Sequence, residues 1–288
     1  MGAYLVRRFG LMLLTLFGIS IIIFMLLRLT PGNIADILFD AGGFVDPADK
    51  ARIEADLGLD KPIPVQYVKW ISGLLSGDLG ISYQTERPAI QEIAPRIPIT
   101  ARLAVLALSF SVLFGVPLGV ISAVNQNSKL DYILRVISLS GLSMPAFWLG
   151  LLILMGFVAY FGTIPIYSDA PTGFWNALLM YSVPAATVGF RSSALIMTIN
   201  YYHALKNAML PVVTVIGIDA AFLLGGLIVT ETVFNIPGVA RFLVEAVRWR
   251  DYPMVQNLVM FIAIVVVTIN FIVDMTYAAL DPRIKYSE

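Results

Sequence analysis

The stretch Phe9–Leu27 reads FGLMLLTLFGISIIIFMLL and contains no charged side chain. This run is about as long as a helix needs to cross the hydrocarbon core of a bilayer, which takes roughly 20 apolar residues. Arg7 and Arg8 precede it, and Arg28 follows it. A cleaved signal peptide would have a shorter apolar core and a small-residue cleavage site, so we predict a retained first membrane helix.

Five further apolar stretches of similar length follow the first. They lie near Thr100–Val124, Leu139–Phe161, Ala177–Ile199, Met209–Thr230 and Met254–Ala279. Their continuous apolar character argues against a β-barrel, whose strands alternate in short segments. An open sheet is excluded because its unpaired backbone groups cannot face lipid. We therefore predict an all-α integral membrane protein with six transmembrane helices.

The composition supports the same class. Hydrophobic residues make up 58% of the chain and charged residues 13%, against roughly 25% charged residues in soluble domains. The formal net charge is zero, so we expect no nucleic-acid partner. Cysteine is absent, which excludes disulfides, thiolate metal ligands and a cysteine nucleophile.

Lysine and arginine in the short loops predict the orientation, because such residues favour the cytoplasmic side. The loop 165–175 contains neither residue, whereas both ends of the chain are basic. The cations that set this pattern are Arg7, Arg8, Lys129, Arg135, Lys206, Arg283 and Lys285. Both termini are thus predicted to be cytoplasmic. Arg241, Arg248 and Arg250 go against this pattern, which is explicable if part of their loop folds back toward the bundle.

Four segments follow from these predictions. Residues 1–30 form an N-terminal membrane helix, 31–98 an external segment, 99–280 a core of five helices, and 281–288 a cytoplasmic tail. The external segment has ten acidic residues against six Lys or Arg. Two interpretations remain open for it: a loop on the membrane surface, or a lid or docking surface for an external partner.

Glycines and prolines inside the predicted helices are candidates for close packing and kinks. Glycines spaced four residues apart let two helices approach closely, and proline removes a backbone donor and kinks a helix. The candidates are Gly115, Pro117, Gly119, Pro145, Pro184, Gly217 and Gly225. They fit either plain helix packing or kinked helices around a path that opens and closes.

Three charged residues fall inside predicted membrane spans: Arg191, Asp219 and Asp274. A charge at mid-bilayer costs at least ~2.5 kcal/mol, so each is expected to face protein or water. An Arg191–Asp219 pair is possible. No paired carboxylates, metal-ligand cluster or nucleophile–base motif is present, so we do not predict an enzyme.

The sequence contains no Gly-x4-Gly-Lys-Ser/Thr motif, so this chain cannot bind nucleotide through a P-loop. We expect no cofactor in this chain. If transport uses ATP, then ATP and Mg must be bound by a separate subunit.

An ordered series of short motifs resembles the B-type permease of bacterial dipeptide and oligopeptide importers. The motifs are Thr30–Gly32, Leu57–Pro62, Gly77–Gly80, Arg96–Thr100, Glu231–Gly238, Arg250–Pro253 and Asp281–Arg283. They follow one another across nearly the whole chain, and the ordered set is specific although no single motif is.

The resemblance implies the type I fold of ABC (ATP-binding-cassette) importer permeases, with an extra N-terminal helix before a five-helix core. It implies a heterodimer with a C-type permease, two ATPase subunits, an external substrate-binding protein and a location in the bacterial inner membrane. It also implies a partly re-entrant segment under the binding protein, formed by Glu231, Asn235, Pro237, Gly238 and the residues after them.

The implied substrates are dipeptides or longer peptides. Related importers of the same family carry nickel chelates or glutathione, so these remain alternatives. A secondary carrier or channel that works without an ATPase, and a non-transporting membrane scaffold, are the alternatives from other classes.

The chain departs from the family between the fourth and fifth spans, where the family has a long cytoplasmic loop whose short helix contacts the ATPase. The end of that loop is matched by residues 201–211. Its beginning is missing: either the loop is short here, or residues are absent near Thr198–Asn200, and the good match of both flanks favours the second. The resemblance assigns coupling to the ATPase to Tyr201, His203, Ala204, Lys206 and Asn207.

Overall fold

A computed structural model of the chain describes residues 2–29, 54–55, 58–162, 174–203, 217 and 225–280. These residues are helical apart from turns and one isolated antiparallel bridge between Ile81 and Pro88. The helices are α1 Gly2–Leu29, α2 Ile63–Ser76, α3 Ala89–Ile93, α4 Ile97–Val124, α5 Lys129–Ser143, α6 Ala146–Phe161, α7 Phe174–His203, α8 Val239–Arg248 and α9 Tyr252–Leu280. Residues 225–233 are also helical.

Three of the described helical stretches are long and apolar enough to cross a membrane: Tyr4–Leu29, Ala89–Val124 and Tyr252–Thr276. They contain most or all of the predicted first, second and sixth spans. In the second, the short α3 and a 3₁₀ turn continue directly into α4. Large apolar side chains on all three stretches are exposed, as expected for surfaces that face lipid.

The predicted third span, Leu139–Phe161, is not one straight helix. The structure instead has α5 and α6, which meet at an angle of 102° and count together as at most one broken span. Ser128 caps α5 by accepting a hydrogen bond from the backbone N–H of Asp131. Met144, the residue before Pro145, is extended (ψ 125°), because the ring of a proline disfavours helical backbone in the residue before it. The turn at Pro145 is thus a break between two helices rather than a kink within one.

The predicted fourth span lies within α7, which runs through Pro184 without a break. Helix α7 is not among the stretches that are apolar enough to count as a span by composition. Most of the predicted fifth span, Met209–Thr230, lies outside the described residues.

The chain divides into two compact units. Unit 1 comprises Met1–Met12, Arg96–Phe242 and Val265–Glu288, and unit 2 comprises Leu13–Pro95 and Leu243–Ile264. The core of unit 1 forms where α4 and α7 pack along each other and against the segment after residue 225. Its buried apolar side chains are Leu103, Ala107, Tyr181, Ala185, Val188, Leu227, Phe234, Ile236 and Ala240.

Aromatic packing organises unit 2. Phe24 of α1 is 1% exposed and stacks on Trp70 of α2, with ring centroids 6.1 Å apart. The Tyr67 hydroxyl lies 2.8 Å from the Ser20 hydroxyl, so α2 is fixed against α1 by a polar contact as well. Helix α2 ends at Gly77, whose φ of 82° is the left-handed conformation that glycine adopts readily.

Asp251 anchors the start of α9 in the same unit. Its buried carboxylate accepts hydrogen bonds from the Ser82 hydroxyl (2.5 Å), the backbone N–H of Gln84 (3.3 Å) and the backbone N–H of Met254 (3.2 Å). The last of these is an N-terminal cap. One carboxylate therefore holds the turn around Tyr83 and the first turn of α9 together.

Candidate functional site

The predicted re-entrant segment contains a fully buried carboxylate at the end of helical residues 225–233. Glu231 is 0% exposed. Its carboxylate accepts hydrogen bonds from the Thr100 hydroxyl of α4 (2.6 Å) and from the backbone N–H of Arg241 in α8 (2.8 Å). The Thr100 hydroxyl also accepts one from the N–H of Val239 (2.8 Å). Glu231 and Thr100 thus satisfy backbone donors at the start of α8, which would otherwise be unpaired.

The turn before α8 explains the other predicted residues of this segment. Asn235 has a φ of 55°, a left-handed conformation in which asparagine is enriched among non-glycine residues. Pro237 is half-buried and follows Ile236, which is fully buried. Gly238 lies directly against the Glu231 carboxylate, so that a Cβ at this position would overlap it. The chain therefore reverses tightly around one acidic side chain.

Three glycines lie at close helix crossings in unit 1. A Cβ on Gly115 of α4 would come 2.8 Å from the Ser193 carbonyl oxygen of α7, and one on Gly189 of α7 would come 2.8 Å from the Ala107 carbonyl oxygen of α4. A Cβ on Gly141 of α5 would come 2.9 Å from the Cβ of Ala194 in α7. Of these three, only Gly115 is among the predicted packing residues.

The other predicted packing and kink residues differ in their surroundings. Gly119 and Pro184 are buried, whereas Pro117 is exposed. Gly217 is buried against Val273 of α9, and a Cβ on it would overlap that side chain. Among the described residues, nothing lies within 4 Å of a Cβ on Gly225. Pro145 occupies the 102° turn between α5 and α6.

Two of the three predicted intramembrane charges lie in the described part of the chain. Asp274 forms an ion pair with Arg8 of α1, with Nη1 and Oδ2 2.7 Å apart. Arg191 is exposed on α7. Asp219 lies outside the described residues, so the Arg191–Asp219 pair stays a prediction. The Arg8–Asp274 pair joins positions separated by 266 residues, and no local sequence pattern indicates it.

The predicted coupling residues fall at and beyond the end of α7. Tyr201 and His203 belong to the backbone of the last turn of α7, but their side chains lie outside the described part of the molecule. Ala204, Lys206 and Asn207 lie outside it entirely.

A buried polar cluster at the α4–α5 corner is not among the sequence-based predictions. Asp131 accepts hydrogen bonds from the Ser122 hydroxyl (2.5 Å) and the Asn127 backbone N–H (2.8 Å), and its Oδ2 pairs with Nη2 of Arg135 at 2.8 Å. The sequence signal for it is the Asp–Arg spacing of four residues on one helix face. Arg135 therefore has a structural partner besides its contribution to the loop charge.

Potential metal ligands are dispersed in the described ranges. No three His, Asp or Glu side chains are grouped there so that they could hold a metal ion. The hydrogen bonds around Glu231, which we call the Glu231 corner, and the close glycine crossings instead attach helices tightly to one another.

Comparison with known proteins supplies the functional context. The chain matches the sequence model of the binding-protein-dependent transport system inner membrane component over residues 115–199 and 197–286. It matches the N-terminal model of the same kind of membrane component over residues 1–104. The match to the core thus falls into two pieces that meet at residues 197–199, which is where the sequence predicts that part of the loop is missing.

Curated relatives match over their whole length. The dipeptide transport system permease of Alkalihalophilus pseudofirmus is 36% identical over 335 residues, covering 99% of this chain and 100% of the relative. That of Escherichia coli is 34% identical over 337 residues, covering 99% of each chain. The glutathione transport system permease of Pectobacterium atrosepticum is 37% identical over 308 residues, covering 98% of this chain and 99% of the relative.

Proposed function

This chain belongs to the binding-protein-dependent transport system inner membrane component family, and on that basis we propose that it lines half of an alternating-access pathway for short peptides. It is a multi-pass permease subunit of an ABC importer in the inner membrane, with the all-α type I fold of that family. Its role is transport rather than bond chemistry. The observation that carries this conclusion is the match over 99% of the chain to dipeptide permeases.

In the proposed complex, this subunit pairs with a C-type permease, and the pathway lies between them. Two ATPase subunits on the cytoplasmic side bind ATP and Mg, and an external binding protein delivers the peptide. Closure of the ATPases switches the pathway outward, which requires that the closed motor favours the outward-open state by several kcal/mol. Both termini are cytoplasmic in this arrangement. The Arg8–Asp274 pair supports the placement of both termini on the same side of the membrane, because it joins the start of α1 to the end of α9.

Dipeptides and oligopeptides are the proposed cargo, and glutathione is the second candidate. The second rests on the glutathione permease, which is as similar to this chain as the dipeptide permeases are. Nickel chelates remain an alternative from the sequence resemblance alone.

Reconstitution tests the proposal. The chain is co-expressed with its neighbouring transport genes, and the co-purifying polypeptides are identified by mass spectrometry. The complex, in which the missing loop segment of a dipeptide permease is inserted between Thr198 and Asn200 of this chain, is then placed in proteoliposomes. Uptake of radiolabelled Ala-Ala and of glutathione is measured with and without ATP. We expect ATP-dependent uptake of Ala-Ala. Uptake by the chain alone, without any ATPase, would instead indicate a secondary carrier.

Residues 203–207 are the proposed contact with the ATPase. Replacing His203 and Lys206 by alanine is expected to leave ATP hydrolysis in place while uptake is lost. Unchanged uptake in this variant would refute the coupling role.

A further inference from the structure

Unit 2 contains a cavity of about 870 Å³, which lies within the roughly 300–1,000 Å³ range of small-ligand sites. Its walls come from the end of α1, from α2, from the turn after α2 and from the start of α9. The charged, polar and aromatic side chains on these walls include Arg28, Lys69, Trp70, Asp78, Tyr83 and Gln256.

Arg28 offers an anion-binding group that is already held in place. Its Nε donates to Oε1 of Gln66 at 2.8 Å, and its guanidinium lies 4.8 Å from the ring centroid of Phe24. These contacts use one of the five N–H donors of the side chain. In the described part of the chain no carboxylate pairs with Arg28, and this partly buried side chain lines the cavity.

The other charged groups of the cavity suit a ligand that carries both signs. Lys61 and Lys69 add two further cations to the wall, and Asp78 is the acidic side chain among the lining residues. Asp78 uses Oδ1 to accept the backbone N–H of Gly80 at 2.9 Å. The lining thus presents three cations and one carboxylate, which favours a molecule with an anionic end and a cationic end.

Neutral polar groups complete the site. Gln256 lines the cavity and is 5% exposed, and its amide can both donate and accept hydrogen bonds. Burial raises the pKa of the Tyr83 hydroxyl to about 12, with the Arg28 charge acting in the opposite direction. Tyr83 therefore remains a neutral donor at physiological pH.

We propose that this cavity is an external docking subsite for a short zwitterionic peptide. Arg28 and Lys69 receive the C-terminal carboxylate, Asp78 receives the amino terminus, and Gln256 pairs with the peptide group between them. Trp70 supplies an apolar wall for a side chain. The peptide as ligand rests on the proposed transport function, whereas the demand for a carboxylate comes from the cavity itself.

A single thiol at the cavity provides a local readout, because the chain has no cysteine. Ser76 lines the cavity and is exposed, so Ser76→Cys gives one reactive group there. Lys129→Cys gives a matched thiol at the exposed start of α5. The full chain is placed in phosphatidylcholine nanodiscs, and the rate of maleimide labelling is measured against the concentration of Ala-Ala. We expect Ala-Ala to slow labelling of Ser76→Cys and to leave that of Lys129→Cys unchanged.

Two comparisons test the assigned roles. Ala-Ala amide, which lacks the carboxylate, is expected to protect the thiol about tenfold less well, and Arg28→Gln is expected to weaken protection by Ala-Ala to a similar degree. Equal protection by the amide, or an Arg28→Gln variant that binds Ala-Ala as well as the parent, would overturn the proposal.

The remaining outcomes separate this proposal from others. If phosphatidylglycerol in the nanodisc protects the thiol and Ala-Ala does not, then the cavity holds a lipid headgroup and the peptide assignment is wrong. If the complex takes up Ala-Ala with ATP but Ala-Ala never protects Ser76→Cys, then the subsite fails and the transport function stands. Protection without uptake in the complex would support the subsite and count against the transport function.

Discussion

At the scale of single residues, the Thr100 hydroxyl both donates to the Glu231 carboxylate and accepts from the backbone of Val239. Thr100→Val keeps the shape of the side chain but removes one hydrogen bond from the buried Glu231 carboxylate and takes away the hydroxyl that accepts from the backbone N–H of Val239. We expect the free energy of unfolding in detergent to fall by about 2–3 kcal/mol. Thr100→Ser retains the hydroxyl and is the matched control, with a loss below about 1 kcal/mol. Equal losses would show that the methyl group, rather than the hydrogen bonds, stabilises this corner.

Gly238 gives a second test at the same corner. Because a Cβ there would overlap the Glu231 carboxylate, Gly238→Ala is expected to destabilise the protein by about 2 kcal/mol in thermal unfolding. Gly226→Ala serves for comparison, since its Cβ would meet Val188 at an ordinary 3.5 Å. It should be neutral or stabilising by up to about 1 kcal/mol, because alanine favours helix more than glycine does. If Gly238→Ala left the thermal stability unchanged, the close contact between Gly238 and the Glu231 carboxylate would be contradicted.

Sequence reasoning identifies some of these residues and misses others for a physical reason. Glu231 and Gly238 stand in one short motif, so a resemblance can point to both. Arg8 counts only as a loop charge in the sequence, because its partner Asp274 is 266 positions away. Gln256 and Asn257 are polar residues near the start of an apolar helix, and both line the cavity, but their position in the sequence alone does not point to it.

At the scale of helices, the crossing of α4 and α7 depends on glycine. Gly115→Ala would place a Cβ 2.8 Å from the Ser193 carbonyl oxygen, and we expect it to lower the free energy of unfolding by about 1–3 kcal/mol. Gly156→Ala in α6 is the control, because no described atom lies within 4 Å of its Cβ position. Chemical unfolding in mild detergent, followed by tryptophan fluorescence, measures both. Similar values for the two variants would mean that α4 and α7 are free to separate.

Helix lengths are more predictable than helix directions. The first and last spans lie within α1 and α9 to within a few residues of the ends, because a long apolar run has few alternatives in lipid. The predicted third span, with its candidate kink at Pro145, is instead two helices that meet at 102°, because hydropathy carries no information on the size of the turn. The cavity of unit 2 could not be predicted either, since its walls come from three separate parts of the chain.

At the scale of the whole molecule, the missing beginning of the predicted loop between the fourth and fifth spans has a consequence for coupling. The family match to the core breaks at residues 197–199, and the alignment to one dipeptide permease is 335 positions long although this chain has 288 residues. We expect a complex with the chain in this form to hydrolyse ATP without peptide uptake. Inserting the corresponding segment of that permease between Thr198 and Asn200 should restore ATP-dependent uptake of Ala-Ala. Full uptake without the insertion would show that the loop is dispensable.

The buried carboxylate of Asp251 gives the cavity of unit 2 a mechanical property. Because it holds the turn around Tyr83 and the first turn of α9 at once, neither can swing without the other. A peptide in contact with Tyr83 would therefore act on the first turn of α9 through the Asp251 carboxylate. Peptide binding would then displace the N-terminal end of α9 directly.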